Sequence, residues 1–307
     1  MLSNTLLPLA CLATLTLAQA DTSKRGLIYI SDQKHKSDDQ IWSSTYDLTW
    51  YYNYGLNPSP QLSSSKLQFV PMLWGAPKNP DTDTTFLDGV LKLVHDGTPL
   101  PHILTFNEPD GTTKTGGSNI SPTVAATTWM RQVEPLRKYG IKVGSPAVTG
   151  SQMGMTWLQR FFAACNGGCN PDFMAVHWYG NFEGLTSYMR EVSKTYRNIS
   201  EIWVTEYALA HADLADSQRF FNQSAVLFDR WDNVTHYSYF GSFRSDVSRV
   251  GPNAAMLTQD GKFTDIGAWY LAETATGAIP QGGAARRPSL SAGWLLLLFA
   301  TSSWFLV

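Results

Sequence analysis

Short apolar or aromatic runs alternate along this 307-residue chain with longer segments of helical character, the βαβα rhythm of a parallel sheet covered by helices. The runs predict eight strands, at residues 26–30, 48–52, 67–73, 103–106, 141–144, 173–177, 201–205 and 236–239. Helices are predicted over 81–95, 121–139, 156–164, 183–197, 213–232 and 263–275. The segment 121–139 has the clearest ends: Ser121 can cap, Pro122 fits the first helical position and Gly140 suits the stop. Eight strands in one α/β domain favour a single compact (β/α)8 TIM barrel over an open doubly wound sheet, in which a glycine-rich phosphate loop would follow the first strand. Ser31-Asp32-Gln33-Lys34 stands there instead.

Both ends of the chain depart from this rhythm. Residues 6–17 are an apolar run closed by Ala18-Gln19-Ala20, the small-x-small pattern of a signal-peptidase site. A signal peptide over 1–20 is therefore expected, with a buried helix as the other reading. At the far end Gly282-Gly283-Ala284-Ala285 precedes Arg286-Arg287-Pro288 and an apolar stretch at 292–307, the order of a GPI-attachment signal over 282–307. A tail anchor or a docking helix is the alternative. Residues 21–281 remain as the catalytic domain, close to the roughly 250 residues of one such barrel.

Composition narrows the partner. A net charge of −2 offers no basic footprint for nucleic acid or anionic lipid, so a neutral or mildly polar partner is expected, and a membrane only through the lipid. Aromatic residues make up 13% of the chain, with 11 Trp, which suits packing and also stacking on the apolar faces of sugar rings. Cys11 leaves with the signal peptide, and the remaining pair, Cys165 and Cys169 around Asn166-Gly167-Gly168, is expected to form a disulfide in an oxidising compartment. Asn198, Asn222 and Asn233 head glycosylation sequons consistent with secretion, while Pro122 follows the one at Asn119. His35, His95, His102, His211 and His236 show no ligand spacing, so neither a metal centre nor a catalytic zinc is expected.

In a barrel of this kind the chemistry sits at the carboxyl ends of the strands. The fourth run ends Phe106-Asn107-Glu108-Pro109-Asp110 and the seventh ends Val204-Thr205-Glu206-Tyr207. Opposite strands face a common centre, so both carboxyls can reach one substrate, as glycosidic cleavage requires. Mutual repulsion and an apolar site would raise the pKa of one, the acid, while hydrogen bonds keep the other ionised. A lone strand-end Glu is more often an ion-pair partner, but neither strand tip carries a Lys or Arg of its own.

Asn107-Glu108-Pro109 and Thr205-Glu206-Tyr207 resemble the acid/base and nucleophile strand ends of the large clan A of retaining (β/α)8 glycosidases. Trp50-Tyr51-Tyr52-Asn53, Phe69-Val70-Pro71-Met72-Leu73-Trp74-Gly75 and Val176-His177-Trp178-Tyr179 narrow the resemblance to glycoside hydrolase family 128, compact fungal and bacterial β-1,3-glucanases. It spans about residues 26–271. The resemblance implies a covalent glycosyl-enzyme on Glu206, hydrolysed with Glu108 as base, and no cofactor. It places Asn107 on the sugar 2-hydroxyl, His177 and Tyr179 beside the nucleophile, and Asn53 and Trp74 along the glucose cleft, with Tyr239 a further candidate. Each has a plainer reading: a core histidine for His177, a turn residue for Asn53, core filling for Trp74. For Trp178 packing is preferred, and residues 110–117 form either a mobile cleft wall or a simple surface loop.

The expectation is a secreted, extracellular, GPI-anchored monomer at the cell surface or cell wall that hydrolyses β-1,3-glucan, by endo attack. A cell-wall glucan transglycosylase on the same site and a catalytically silent β-glucan-binding protein are the alternatives.

Overall fold

The computed structural model describes residues 23–43 and 47–281. The expected signal peptide at 1–20 and attachment signal at 282–307 lie outside the described residues. Among those described, no helix is long and apolar enough to cross a membrane.

The chain folds as one α/β domain. Its strands are β1 (Gly26–Ile28), β2 (Trp50–Tyr52), β3 (Gln68–Phe69), β4 (His102–Ile103), β5 (Lys142–Val143), β6 (Phe173–Tyr179), β7 (Glu201–Ala208) and β8 (Val234–Tyr239). All pairings are parallel, in the groups β1-β2-β3, β4-β5 and β6-β7-β8. Single bridges from Met72 to Leu104, Gly144 to Phe173 and Arg25 to Tyr237 join these groups end to end, so β8 lies beside β1. β1 to β5 are shorter than the apolar runs suggest because several pairings there survive only as isolated bridges beyond the regular ladder, whereas β6, β7 and β8 run longer than predicted.

Alternation along the strands sorts side chains into two layers. Ile28, Trp50, Tyr52, Val70, Met72, Leu104, Phe173 and Trp203 form a cluster to which no helix contributes. Leu27, Tyr51, Ile103, Met174, Val176, Ile202 and Val204, their neighbours in sequence, join the larger core with helical residues such as Val90, Trp129, Phe161, Met189 and Phe228. Gly26 makes the first cluster possible, since a Cβ there would lie 2.1 Å from the Trp50 ring.

The helices are α1 (Asp39–Ser43), α2 (Thr85–His95), α3 (Pro122–Gln132), α4 (Gln152–Cys165), α5 (Phe182–Thr195), α6 (Leu214–Arg230) and α7 (Asp265–Tyr270). The helix predicted over 121–139 divides: α3, capped by Ser121, stops at Gln132, and a 3-10 turn follows over Glu134–Tyr139. Pro135 is the cause, because its ring removes an N–H and crowds the preceding turn. The start of α2 is delayed because Thr82 and Asp83 both donate to the Asn79 carbonyl in a turn. Conversely, α4 starts early because the Ser151 hydroxyl accepts the Gly154 N–H. Its last residue, Cys165, is joined to Cys169 in the expected disulfide.

The amino ends of the strands hold two half-buried histidines. His236 stacks on Trp203 with centroids 3.6 Å apart, and His102 lies 4.8 Å from the same indole. Burial, with His102 nearby, pushes the His236 pKa down to about 3, and burial lowers that of His102. Both therefore stay neutral when folded at pH values where the unfolded chain, with ordinary values near 6.5, is already taking up protons. The stability these two neutral imidazoles contribute is complete above about 6.5 and is lost as pH falls. Thermal melts from pH 7 to pH 4 should show a steep decline in the parent and a shallower one in His236→Gln.

Candidate active site

Strand geometry alone does not aim Glu206. Trp203 belongs to the strand-enclosed cluster, and simple alternation would turn Thr205 and Tyr207 the same way and Glu206 toward the helices. The ladder is interrupted here: Val204 pairs with Val176, yet Glu206 pairs with His177, leaving Thr205 as an extra residue. The same step appears against β8, where Val204 faces Tyr237 and Tyr207 faces Tyr239. This bulge reverses the alternation. Tyr207 then packs among Phe220, Phe228 and Tyr237, and Glu206 turns inward toward Tyr52 and Tyr54. Two side-chain hydroxyls hold the bulge, the Thr205 carbonyl accepting from Tyr52 at 3.0 Å and from Ser238 at 2.6 Å.

Glu108 reaches the same place by a strained backbone. Its φ of +39° lies in the left-handed region, costly for a residue with a side chain. The surroundings fix it. Its N–H donates to Ala147 and its carbonyl accepts from Gly111, both at 2.8 Å, and a Cβ on Gly117 would stand 2.6 Å from that carbonyl.

The two carboxyls meet around His177. Both are buried, and His177 is fully so. Its Nδ1 lies 3.1 Å from one Glu108 oxygen and 3.5 Å from one Glu206 oxygen, and donor atoms of all three residues lie within 4.8 Å of one another. Tyr179 donates to Glu206 Oε2 at 2.6 Å and Tyr54 to Oε1 at 2.7 Å. Burial is the largest influence on Glu206 and pushes its pKa up, as does Glu108; His177 and the Tyr179 and Tyr54 hydroxyls pull it back without cancelling the rise. Burial works against charge on His177 too, but the Glu206 charge and the Glu108 hydrogen bond outweigh it, leaving its pKa above the ordinary value. The three phenols of Tyr52, Tyr54 and Tyr179 are held well above their usual range by burial and by Glu206, so they act as neutral donors. Such a Glu-His-Glu spacing could in principle hold a metal ion. Here both Glu206 oxygens already accept phenol hydrogens, which leaves few lone pairs for a cation.

Above these groups opens a cleft of about 950 Å³. Tyr54, Trp74, Asn107, Glu108, Tyr179 and Glu206 all line it. Trp74 is 36% exposed, as a sugar-stacking surface must be. Asn107 Nδ2 donates to the Gly116 carbonyl at 3.0 Å, and its buried Oδ1 has no protein partner. The segment 110–117 contributes Thr115 and Gly116 to the wall.

A profile described as "Glycosyl hydrolase catalytic core" matches residues 26–270, most of the chain. The chain belongs to that family, within glycoside hydrolase family 128. Among curated proteins, Alkali-sensitive linkage protein 1 of Schizosaccharomyces pombe is 29% identical over 259 residues, 81% of this chain. The chain spans 44% of that relative's length. Two solved family 128 structures are each 26% identical to it. The subgroup III curdlan-specific exo-β-1,3-glucanase of Blastomyces gilchristii, in complex with glucose, has a TM-score of 0.65 and shares 81% of this chain and 98% of its own. The subgroup VII oligosaccharide-binding protein of Cryptococcus neoformans has a TM-score of 0.63 and shares 82% and 93%.

Not every residue singled out in this family 128 sequence reaches the cleft. Asn53 does not line it: its Oδ1 accepts the Gly55 N–H and its Nδ2 donates to the Asn57 carbonyl, closing its own turn. The next residue, Tyr54, takes the place, delivered by a φ of +61°. Tyr239 is 1% exposed among Tyr207, Phe221 and Tyr270, so it is a core residue. Trp178 packs on Tyr188 as expected but also lines the cleft. Burial raises the Glu206 carboxyl, which the sequence reading expects hydrogen bonds to keep ionised. Tyr54 was findable only as a Tyr in an aromatic strand end; its φ was not.

The raised Glu206 pKa fixes the sign of the pH response. The acidic limb of kcat/KM should lie above the usual carboxylate range. Tyr54→Phe and Tyr179→Phe should each move it to higher pH, because each removes a donor that favours the anion. Each should also lower kcat about ten- to a hundredfold, the size of one hydrogen bond to a charged group.

Proposed function

We propose that this chain is a retaining β-1,3-glucanase built on a (β/α)8 barrel. The observation that carries the reading is the approach of Glu108 and Glu206 within 4.8 Å inside one aromatic-lined cleft. Retaining glycosidases hold their carboxyls about 5–5.5 Å apart, whereas inverting enzymes need about 6.5–9.5 Å to admit a water. The return of the strand pairings from β8 to β1 supports the barrel, and the Blastomyces gilchristii glucanase supports the substrate class.

In the first step a Glu206 oxygen attacks the anomeric carbon, the bond to the leaving glucosyl oxygen breaks, and the Glu108 proton passes to that oxygen. In the second, water attacks the anomeric carbon as Glu108 takes its proton, and the ester to Glu206 breaks. Tyr54 and Tyr179 hold the Glu206 carboxylate before attack and after release. The cleft volume, at the upper end for small-ligand sites, accommodates several glucosyl units and supports endo attack.

The silent-binder alternative is favoured by one observation, the likeness to the Cryptococcus neoformans oligosaccharide-binding protein. Glucan transfer on the same site is the other alternative. The chain is further proposed to act as a secreted monomer, GPI-anchored at the cell surface or wall. The exposed sequon residues Asn198, Asn222 and Asn233 and the Cys165–Cys169 disulfide support passage through an oxidising secretory route.

Residues 21–281 should release oligosaccharides from laminarin and curdlan but not from mannan or cellulose, with the β-anomer seen first by NMR. Glu206→Ala should abolish turnover while laminarin binding survives. An inert parent that still binds laminarin would make the chain a binding protein, and elongated products at high oligosaccharide concentration would make it a transglycosylase.

A further inference from the structure

Two residues after Glu108, the Asp110 carboxylate reaches across to the loop that precedes α4. Its Oδ1 accepts the Thr149 N–H at 3.0 Å and its Oδ2 accepts the Thr149 hydroxyl. A carboxylate only accepts, so the direction of the chain beyond it is fixed. The Thr149 oxygen, 2.9 Å from Ser151 Oγ, accepts the Ser151 hydroxyl, whose oxygen in turn accepts the Gly154 N–H in the first turn of α4. A Cβ on Gly154 would come within 2.3 Å of the Thr149 carbonyl and 3.1 Å of Asp110 Oδ2. The contact is therefore packed as well as bonded. Thr149, Gly150 and Ser151 are also cleft wall.

We propose that Asp110 is a positioning residue that locks the left-handed backbone at Glu108 to the Thr149–Ser151 wall, and so aims the Glu108 proton at the leaving-group oxygen. A strained residue keeps its conformation only where its surroundings over-determine it. Main-chain bonds hold Glu108 from Ala147 and Gly111. Asp110 supplies the side-chain tie from that turn to a second element. Without it the segment can relax toward an ordinary φ and swing the Glu108 carboxyl off the His177 Nδ1. Displacement of about 1 Å at a catalytic group costs about a hundredfold in rate. This inference rests on the reading of Glu108 as the acid, and the test separates the two.

The substrates are laminarin, whose leaving group must be protonated, and 2,4-dinitrophenyl β-laminaribioside, whose leaving group need not be. Asp110→Ala should lower kcat/KM on laminarin about a hundredfold and leave kcat/KM on the aryl glycoside nearly unchanged. Asp110→Asn, which keeps an acceptor for the Thr149 N–H, should recover part of the loss, and Thr149→Val should fall between them. Equal losses on both substrates in variants that melt like the parent, or no loss on laminarin, would overturn the positioning role. Glu108→Gln serves as the control: it should show the same selectivity more strongly. If its losses are equal on both substrates, the acid assignment fails and the positioning role falls with it.

Discussion

Two carboxyls buried side by side are the constraint to which the rest of this structure answers. Removing one ionised carboxylate from water costs several kcal/mol unless charge and donors replace the solvent, and a second at this range adds repulsion. The replacement comes from separate parts of the chain: an imidazole and a phenol from β6, and a second phenol just beyond β2. None of these is local in sequence to either carboxyl. The site therefore exists only while β2, β4, β6 and β7 end at one level, and the strand-enclosed aromatic cluster beneath it holds that level.

Much of this was legible in the residues. The alternation of runs gave eight strands, and each apolar run carries one. The strand tips named Glu108 and Glu206, and the aromatic motifs named Trp74, His177 and Tyr179, all now around one cleft or its floor. The misses have physical causes. Pro135 breaks a segment whose two ends, Ser121-Pro122 and Gly140, both read as helix termini. Asn53 and Tyr54 are adjacent, and a positive φ decides which of the two faces the cleft. Tyr239 sits at a strand end like the residues that line the cleft, but on the helix-facing side.

The raised pKa of Glu206 shows why motif-based role assignment and electrostatics are separate inferences. The strand-tip pattern says which carboxyl lies where. It carries no information on solvent exclusion, which is the largest influence on this group. Phenol donors on both of its oxygens show how the fold answers that cost without placing a permanent cation at the centre.

The bulge in β7 has a consequence for how this protein can vary. Thr205 meets its neighbours mainly through its carbonyl oxygen, an atom every amino acid owns. Burial restricts the Thr205 side chain, but it is the spacing between Trp203 and Tyr207 that is not negotiable. Excising a single codon would leave the hydrophobic layers able to form and turn the Glu206 carboxyl toward the helices. At this point of the chain, heredity guards the number of residues more closely than their kind.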